Sequence, residues 1–118
     1  YNGKEKSLWP ELTTLYPPRA DQPTQQELVD RLMFIQANEA ARCFEENVVR
    51  SVADANIGSI FGWGFAPHQG GALQFINAMG VQRFVARSRE LAQRHGARFE
   101  PAAILVQMAQ ENARFQDA

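Results

Sequence analysis

Residues 24–47 read TQQELVDRLMFIQANEAARCFEEN, and their pattern is the clearest indication of the fold class. Thr24 followed three residues later by Glu27 is a capping box, which marks the start of a helix. Asn47 tolerates the left-handed backbone with which helices often end. Between them, apolar residues recur at spacings of three and four, as on one face of a helix. The pattern predicts one long helix to about Glu46, with an inner face of Leu28, Val29, Leu32, Met33, Ile35, Ala37, Ala40, Cys43 and Phe44.

The sequence after residue 47 predicts four shorter helices. Ser51 and Asp54 form a second capping box before the first of them. Glycines end the middle two, and a proline begins the last. The expected helices cover about Ala53–Ile60, Ala72–Met79, Val81–His95 and a final segment from Pro101 with Ile104, Leu105 and Met108 inside. Because no segment alternates with period two, the predicted fold class is all-α, with about five helices.

Length and composition are those of one globular domain. The chain has 118 residues, of which 45% are apolar and 21% charged, and its net charge is −1. Acidic and basic residues are mixed, which argues against nucleic acid or an anionic membrane as the main partner. No stretch approaches the roughly 20 apolar residues of a spanning helix. The single cysteine, Cys43, suits a reducing compartment, and the two histidines lack metal-ligand spacing.

Residues 1–23 differ in character from the rest and are interpreted as a linker arm before a helical domain at 24–118. Four prolines interrupt them, which favours an irregular chain. Trp9, Leu12, Leu15 and Tyr16 suggest that the arm packs on something. The chain begins with Tyr, shows no signal peptide, and is expected to be a piece of a longer protein.

Glu39 is the unusual residue of the long helix, because it falls among Leu28, Leu32, Ile35 and Cys43 on the predicted inner face. One interpretation is a catalytic or ligand-binding acid. The favoured one is a structural carboxylate that accepts amide hydrogen bonds from the glycine-rich loop or pairs with an arginine, since an unpaired buried charge is costly. We therefore expect Glu39→Ala to unfold the domain or destabilise it strongly.

The ten residues 62–71, GWGFAPHQGG, predict an ordered loop rather than regular structure. The dinucleotide-binding pattern G-x-G-x-x-G fails, because Pro67 stands in place of its third glycine, and no strand precedes it. The favoured interpretation is a packed corner between two helices. Gly62, Gly64, Gly70 and Gly71 would permit close backbone approach, while Trp63 and Phe65 fill the core.

The remaining reactive side chains favour structural roles. His68 has no acid or nucleophile near it in sequence, and His95 stands at the end of a helix, so both are expected at the surface. Cys43 is expected to be inert core. Arg83, Arg87, Arg89, Glu90 and Arg94 suggest a solvated face, with a basic spot for a CoA phosphate as the less favoured alternative.

The chain resembles the C-terminal helical domain of 3-hydroxyacyl-CoA dehydrogenases, most of all the second copy of that domain in the multifunctional subunit of fatty-acid β-oxidation. The arm residues Gly3-Lys4, Leu8-Trp9-Pro10 and Leu12 resemble the segment that joins the two copies. The domain carries the rest of the resemblance in Arg31-Leu32-Met33, Asn38-Glu39-Ala40-Ala41-Arg42-Cys43, Glu45-Glu46, Asp54, Phe61-Gly62-Trp63-Gly64-Phe65-Ala66-Pro67, Gly70-Gly71, Leu73-Gln74-Phe75 and Gly80.

The resemblance implies a helical domain like the C-terminal domain of 6-phosphogluconate dehydrogenase. It implies a parent enzyme that oxidises 3-hydroxyacyl-CoA to 3-oxoacyl-CoA with NAD, in a bacterial cytoplasm or in mitochondria or peroxisomes. In the family, NAD and the catalytic His–Glu pair belong to a separate upstream domain. This segment is therefore expected to hold no catalytic residue, cofactor or metal, and to be inactive alone.

The resemblance also implies the partners of the segment. In the family the first helical copy carries an Asn-Arg pair whose Asn lies near the substrate, and this chain has Asp30-Arg31 at that place. Milder departures are Glu11 and Asn47 where Gly is usual, and Val52 where Pro is usual. The expected role is support of the upstream helical copy and the NAD-binding domain in a pseudo-dimer. The alternatives are a stand-alone homodimerising module and a module that binds acyl-CoA by itself.

Overall fold

Six α-helices follow one another in Gly3 and residues 5–117, the part of the chain that the computed structural model describes. They are α1 (Leu12–Leu15), α2 (Gln25–Glu45), α3 (Val52–Trp63), α4 (Ala72–Met79), α5 (Val81–His95) and α6 (Ala103–Glu111). Short 3-10 turns at Pro67–Gln69 and Ala97–Phe99 precede α4 and α6. These described residues contain no strand. The prediction of an all-α fold with about five helices is confirmed, since five of the six exceed one turn.

The long helix α2 is bounded as its sequence predicts. The Thr24 hydroxyl accepts a hydrogen bond from the Glu27 amide at 3.1 Å, which satisfies one of the free donors of the first turn. Beyond the other end, Asn47 has a φ of 58°, in the left-handed region. The Glu27 side chain bonds to His95, at the end of α5, rather than completing the capping box. The first turn of α2 is therefore tied to α5.

Helix α3 begins as predicted but ends later. The Ser51 hydroxyl accepts from the Asp54 amide at 3.0 Å, and the helix continues through Trp63 to a left-handed Gly64. The prediction that all of residues 62–71 lack regular structure is therefore wrong for the last turn of α3 and for the turn Pro67–Gln69. A helix tolerates Gly62 at a modest cost when its neighbours pack, so composition alone does not end it.

The corner after α3 is closely packed, as the sequence predicts. Phe65 is buried, and Gly71 lies against α3 so tightly that an added Cβ would stand 2.5 Å from the Asn56 Cα. The Asn56 carboxamide oxygen accepts from the Gln74 amide at 2.9 Å, and the Ser59 hydroxyl accepts from the Ala72 amide at 3.0 Å. Two side chains of α3 thus cap α4.

The core lies where α2, α4 and α5 meet. Phe34 is fully buried and stacks on Phe84 with ring centroids 4.3 Å apart, while Phe75 meets it edge-on at 5.8 Å. Stacked and edge-on aromatic pairs stabilise beyond the area that they bury. Helix α6 covers α5 and α2 and contributes Leu105 and Met108 to the core, as predicted, although the helix starts at Ala103.

The buried side of α2 matches the predicted one only in part: Ala37 and Ala40 are buried as predicted, and Met33, Ile35 and Phe44 pack against the core. Leu28 and Leu32 remain 45% and 66% exposed, and Ile35 and Cys43 are only half-buried. The buried residues of this helix are Asp30, Phe34, Ala37, Asn38, Ala40 and Ala41. Apolar residues surround most of the helix, so periodicity offers two candidate inner faces. The face rich in alanine faces the core, because small side chains allow the close approach of neighbouring helices.

The arm at residues 5–23 has a one-turn helix, α1, within an otherwise irregular path. Its apolar side chains are largely uncovered: Leu8, Trp9, Leu15 and Tyr16 are each more than half exposed. The rest of the described chain does not cover these side chains, so the expectation that the arm packs on something is not met within it. Tyr1, Asn2 and Ala118 lie outside the described residues, and so does Lys4 of the arm motif.

Candidate functional site: an apolar groove between α2 and α3

A groove of about 600 Å³ runs between α2 and α3. This volume lies within the range of pockets that hold small molecules or the side chains of a docked helix. Its lining is Ile35, Gln36, Glu39, Ala40, Cys43, Val49, Asp54, Ala55, Gly58, Ser59, Gly62 and Trp63. The two walls run in opposite directions, since the end of α3 lies beside the middle of α2. There the Trp63 indole N–H donates to the Gln36 carboxamide oxygen at 3.0 Å.

Two glycines form the α3 side of the groove. Gly58 and Gly62 are four residues apart within a helix, so they lie on one face. A Cβ added to either would meet no atom within 4 Å. Neither has a positive φ. No backbone conformation or packing contact within the described chain therefore explains glycine at these positions.

Exposed apolar side chains continue beyond the groove lining on both helices. On α3, Phe61 is 86% exposed and Ile57 is 57% exposed. On α2, Leu28 and Leu32 continue the stripe of Ile35 toward the start of the helix. Uncovered apolar patches of this kind on a folded domain mark interaction surfaces.

Glu39 lines this groove and is not buried. Its carboxylate is 66% exposed and pairs with Arg42 at 3.1 Å, and Arg42 also donates to the Glu100 carbonyl at 2.7 Å. The expectation of an arginine partner is confirmed. The expectations of burial on the inner face and of a bond to the glycine-rich loop are wrong, because α2 turns its other face to the core. Asp54 is the second carboxylate of the lining.

Asp30 lies on the opposite side of α2, where it is 8% exposed. Its carboxylate accepts from Arg87 Nε at 2.8 Å and from the Gln26 carboxamide at 2.8 Å. Arg87 also donates to Glu90 at 2.9 Å, and its hydrogen bonds to Glu90 and Asp30 raise the pKa of the guanidinium. Asp30 therefore links α2 to α5 and lies apart from the groove. Arg87 belongs to this half-buried ion pair rather than to a fully solvated face.

The glycine-rich segment contributes to the groove only through its first two residues. Gly62 and Trp63 end α3 and line the groove, with Trp63 54% exposed, so the prediction that it fills the core is wrong. Phe65 points into the core, and Pro67 begins a 3-10 turn. The other glycines, Gly64, Gly70 and Gly71, all have positive φ and shape the corner.

Neither histidine lines the groove, whereas Cys43 does. His68 is exposed beside Gln69, as expected. His95 is half-buried, with Nε2 2.9 Å from Glu27. Cys43 is half-buried in the groove rather than in the core. The exposed apolar face of α2 and the Gly58/Gly62 spacing were the available sequence signals for the groove.

Chemically, the groove can bind an apolar surface. Its ionisable lining consists of two carboxylates and a thiol, without a histidine, lysine or arginine to activate a nucleophile or hold a phosphate. Across Gly3 and residues 5–117, no group of three or more His, Cys, Asp or Glu residues could hold a metal ion. Nor is any helix in this range long and apolar enough to cross a membrane. A comparison with protein-family models found no match for the chain.

Proposed function

We propose that this chain is the second helical domain of an NAD-dependent 3-hydroxyacyl-CoA dehydrogenase and that it acts by support rather than by catalysis. The oxidation of 3-hydroxyacyl-CoA to 3-oxoacyl-CoA, the NAD and the catalytic pair belong to upstream domains in this proposal. The chain would pack on the first helical copy and complete the wall of the acyl-CoA site. The motifs around Glu39 and Gly62–Gly71 support the family assignment.

The observation that carries the supporting role is the second apolar face of α2. One face is buried in the core of this domain, while Leu28, Leu32 and Ile35 lead into an open groove on the other. Covering such a face stabilises the assembly in proportion to the apolar area removed from water. A domain built to stand alone has no need of it.

The charges of the groove favour a protein surface over acyl-CoA. Glu39 and Asp54 would repel the phosphates of CoA. An apolar helix that carries a basic side chain would instead fit both the apolar lining and the two carboxylates. Asp30, at the position of the family Asn, is held by Arg87 and Gln26. This arrangement supports a structural role for Asp30.

A complementation experiment tests the proposal. The NAD-binding and first helical domains of a multifunctional 3-hydroxyacyl-CoA dehydrogenase would be assayed for NADH formation with and without this chain. We expect the chain alone to form no NADH and to raise the activity or thermal stability of the upstream fragment. A groove variant, Ile35→Glu, should lose this effect, while Arg83→Glu on the exposed side of α5 should keep it.

Two outcomes would overturn the proposal. NADH formation by the chain alone would place chemistry within it, and an upstream fragment that ignores the chain would remove the supporting role. The second candidate function is a homodimerising interaction module, favoured by the same uncovered groove. A chain that self-associates but does not bind the upstream copy would support this alternative.

A further inference from the structure

The segment that follows α6, residues 112–117, lies on the helical body without joining a helix or a strand. Asn112 ends α6 with a φ of 55°, and this left-handed conformation turns the chain away from the helix axis. From Arg114 to Asp117, no backbone group bonds to another backbone group within the described residues. This tail segment is therefore held by side chains and by a helix end of the body, much as a separate bound peptide would be.

Asn77 of α4 holds the backbone of one tail residue at two points. Its carboxamide nitrogen donates to the Phe115 carbonyl at 2.8 Å, and its carboxamide oxygen accepts from the Phe115 amide at 2.9 Å. The amide and carbonyl of one residue point to the same side in an extended backbone, which is how a neighbouring strand pairs with them. Because these bonds use only the main chain, they select an extended segment rather than a particular sequence.

Two side chains of the tail segment supply the selectivity. Phe115 is 5% exposed and meets Phe44 edge-on, with ring centroids 5.6 Å apart. Two residues later, the Asp117 carboxylate accepts from the first two amides of α3. The side chains of Arg114 and Gln116 are exposed. An aromatic side chain and a carboxylate, separated by one solvent-facing residue, thus make the specific contacts.

We propose that this corner between α2, α3 and α4 is a peptide-recognition site for an extended segment in which an aromatic residue is followed two residues later by a carboxylate, and that the tail segment is its exchangeable occupant. Main-chain bonds that give affinity and pockets that give specificity are the usual means by which domains bind extended peptides. The site would be present whether or not the chain belongs to a dehydrogenase.

The tether of the tail segment sets the conditions under which another peptide can enter. A short flexible tether gives its end an effective concentration on the order of millimolar, so a free peptide of the same sequence competes only at similar concentrations. A tail that lacks one of its two specific side chains competes less well. Because the occupant satisfies the first two amides of α3, the exchange of these amides with solvent reports whether the site is filled.

The full chain that carries Asp117→Ala provides the test, because the substitution weakens the tail and leaves the site itself unchanged. Exchange of the Val52 and Ala53 amides, followed by NMR, should be about tenfold faster than in the parent. A capped synthetic peptide of residues 112–117 supplies the missing carboxylate. At about 10 mM it should return both rates to within about threefold of the parent.

Variants of the peptide separate recognition from nonspecific binding. Peptides with Phe115→Ala or Asp117→Asn should need at least about tenfold higher concentrations for the same effect, because each loses one specific contact. The peptide Arg114→Ala/Gln116→Ala is the matched control, since both side chains face solvent, and it should act like the natural sequence. In the chain, adding Asn77→Ala to Asp117→Ala should abolish the response to the natural peptide.

The unmodified chain gives a second measurement that does not depend on a variant. The same peptide, unlabelled and at about 10 mM, should displace the tail of the isotopically labelled parent and shift the amide resonance of Phe115. The proposal is overturned if the peptide leaves both the amide exchange and this resonance unchanged. It is equally overturned if the Phe115→Ala peptide acts as strongly as the natural one, or if the chain with Asn77→Ala still responds.

Discussion

Asp30 and Glu39 stand on opposite sides of α2, and each pairs with an arginine in different surroundings. The Asp30 carboxylate is 12% exposed and bonds to Arg87 across a gap between two helices. The Glu39 carboxylate is mostly exposed and bonds to Arg42 one turn along its own helix. Water screens the second pair much more strongly than the first, so the two carboxylates contribute differently to stability.

Substitution of each carboxylate by alanine measures this difference. Asp30→Ala should lower the free energy of unfolding by about 1.5–3 kcal/mol, because it leaves the half-buried Arg87 without its charged partner. Glu39→Ala should change it by less than about 0.5 kcal/mol, in contrast to the strong destabilisation expected from the sequence. Urea unfolding of both variants beside the parent provides the values. Equal losses would contradict the assignment of the inner face.

Glu27 links α2 to α5 through an ionisable contact. Its hydrogen bond with His95, together with the nearby charge of Arg94, holds the pKa of Glu27 below the ordinary 4.5. A carboxylate with a lowered folded pKa contributes stability that is present above its unfolded pKa and is lost as pH falls through the folded value. The contribution is therefore present at pH values above about 4.5 and is lost as the pH falls below that value.

The lowered pKa of Glu27 predicts how the substitution Glu27→Gln changes the response of the fold to acid. The parent should lose stability more steeply than Glu27→Gln as the pH falls below about 4.5, and the two stability curves should be parallel between pH 7 and pH 8. Thermal melts over this pH range provide the comparison. Glu90→Gln on α5 serves as an exposed-carboxylate control. If the stability of the parent and that of Glu27→Gln fell in parallel at acid pH, the contact would not stabilise the fold.

At the scale of elements, α3 depends on a residue from the far end of the described chain. The Asp117 carboxylate accepts from the backbone amides of Val52 and Ala53, at 2.5 and 2.9 Å. Ser51 satisfies the amide of Asp54 in the same turn. Free amides and the positive end of the helix dipole both favour a carboxylate here. One wall of the groove is thus anchored by the C-terminal tail.

Removing this anchor should loosen α3. Asp117→Ala should destabilise the chain by about 1–2 kcal/mol, as the loss of other N-terminal caps does. The rate of amide hydrogen exchange should increase mainly in the first turn of α3, so this measurement reports a local loosening. Asp21→Ala, which removes an exposed arm carboxylate, is the matched control and should leave these amides unchanged. Exchange that rises equally across all helices would contradict a local role.

At the scale of the whole molecule, the helical body leaves the arm largely uncovered. The Cα radius of gyration is 16.9 Å, whereas a compact domain of this length has about 13–14 Å. Leu8, Trp9 and Tyr16 lie largely in solvent. The loop before α3 is also exposed, but its amides at Val48 and Val49 bond to the Cys43 carbonyl. The arm is therefore the segment most open to a protease.

Limited trypsin digestion tests whether the arm is the segment most accessible to a protease. We expect first cleavage in the arm, at Lys6 or Arg19, and much slower cleavage at Arg50, where the tethered backbone resists entry into a protease site. Mass spectrometry of the early products identifies the order. Cleavage at Arg50 before the arm would show that the loop between α2 and α3 opens more readily than its hydrogen bonds indicate.

The helical class and most helix ends could be predicted from the sequence alone. Caps such as Thr24 and Ser51 and the spacing of apolar residues act within a few residues, so they can be interpreted locally. The predicted helix ends were wrong at Gly62, which lies inside α3, and at Pro101, which precedes the start of α6 at Ala103. The glycine corner was likewise recognisable because it needs positive φ at Gly64 and Gly70.

The face of α2 that is buried depended on how distant helices pack against it. Two faces of this helix are apolar, and burial of the alanine-rich one was set by packing against α4, α5 and α6. That choice exposed Glu39 and opened the groove, and it paired Asp30 with Arg87, 57 residues away in sequence. Such contacts depend on where distant elements meet, and periodicity along one helix carries no information about that meeting.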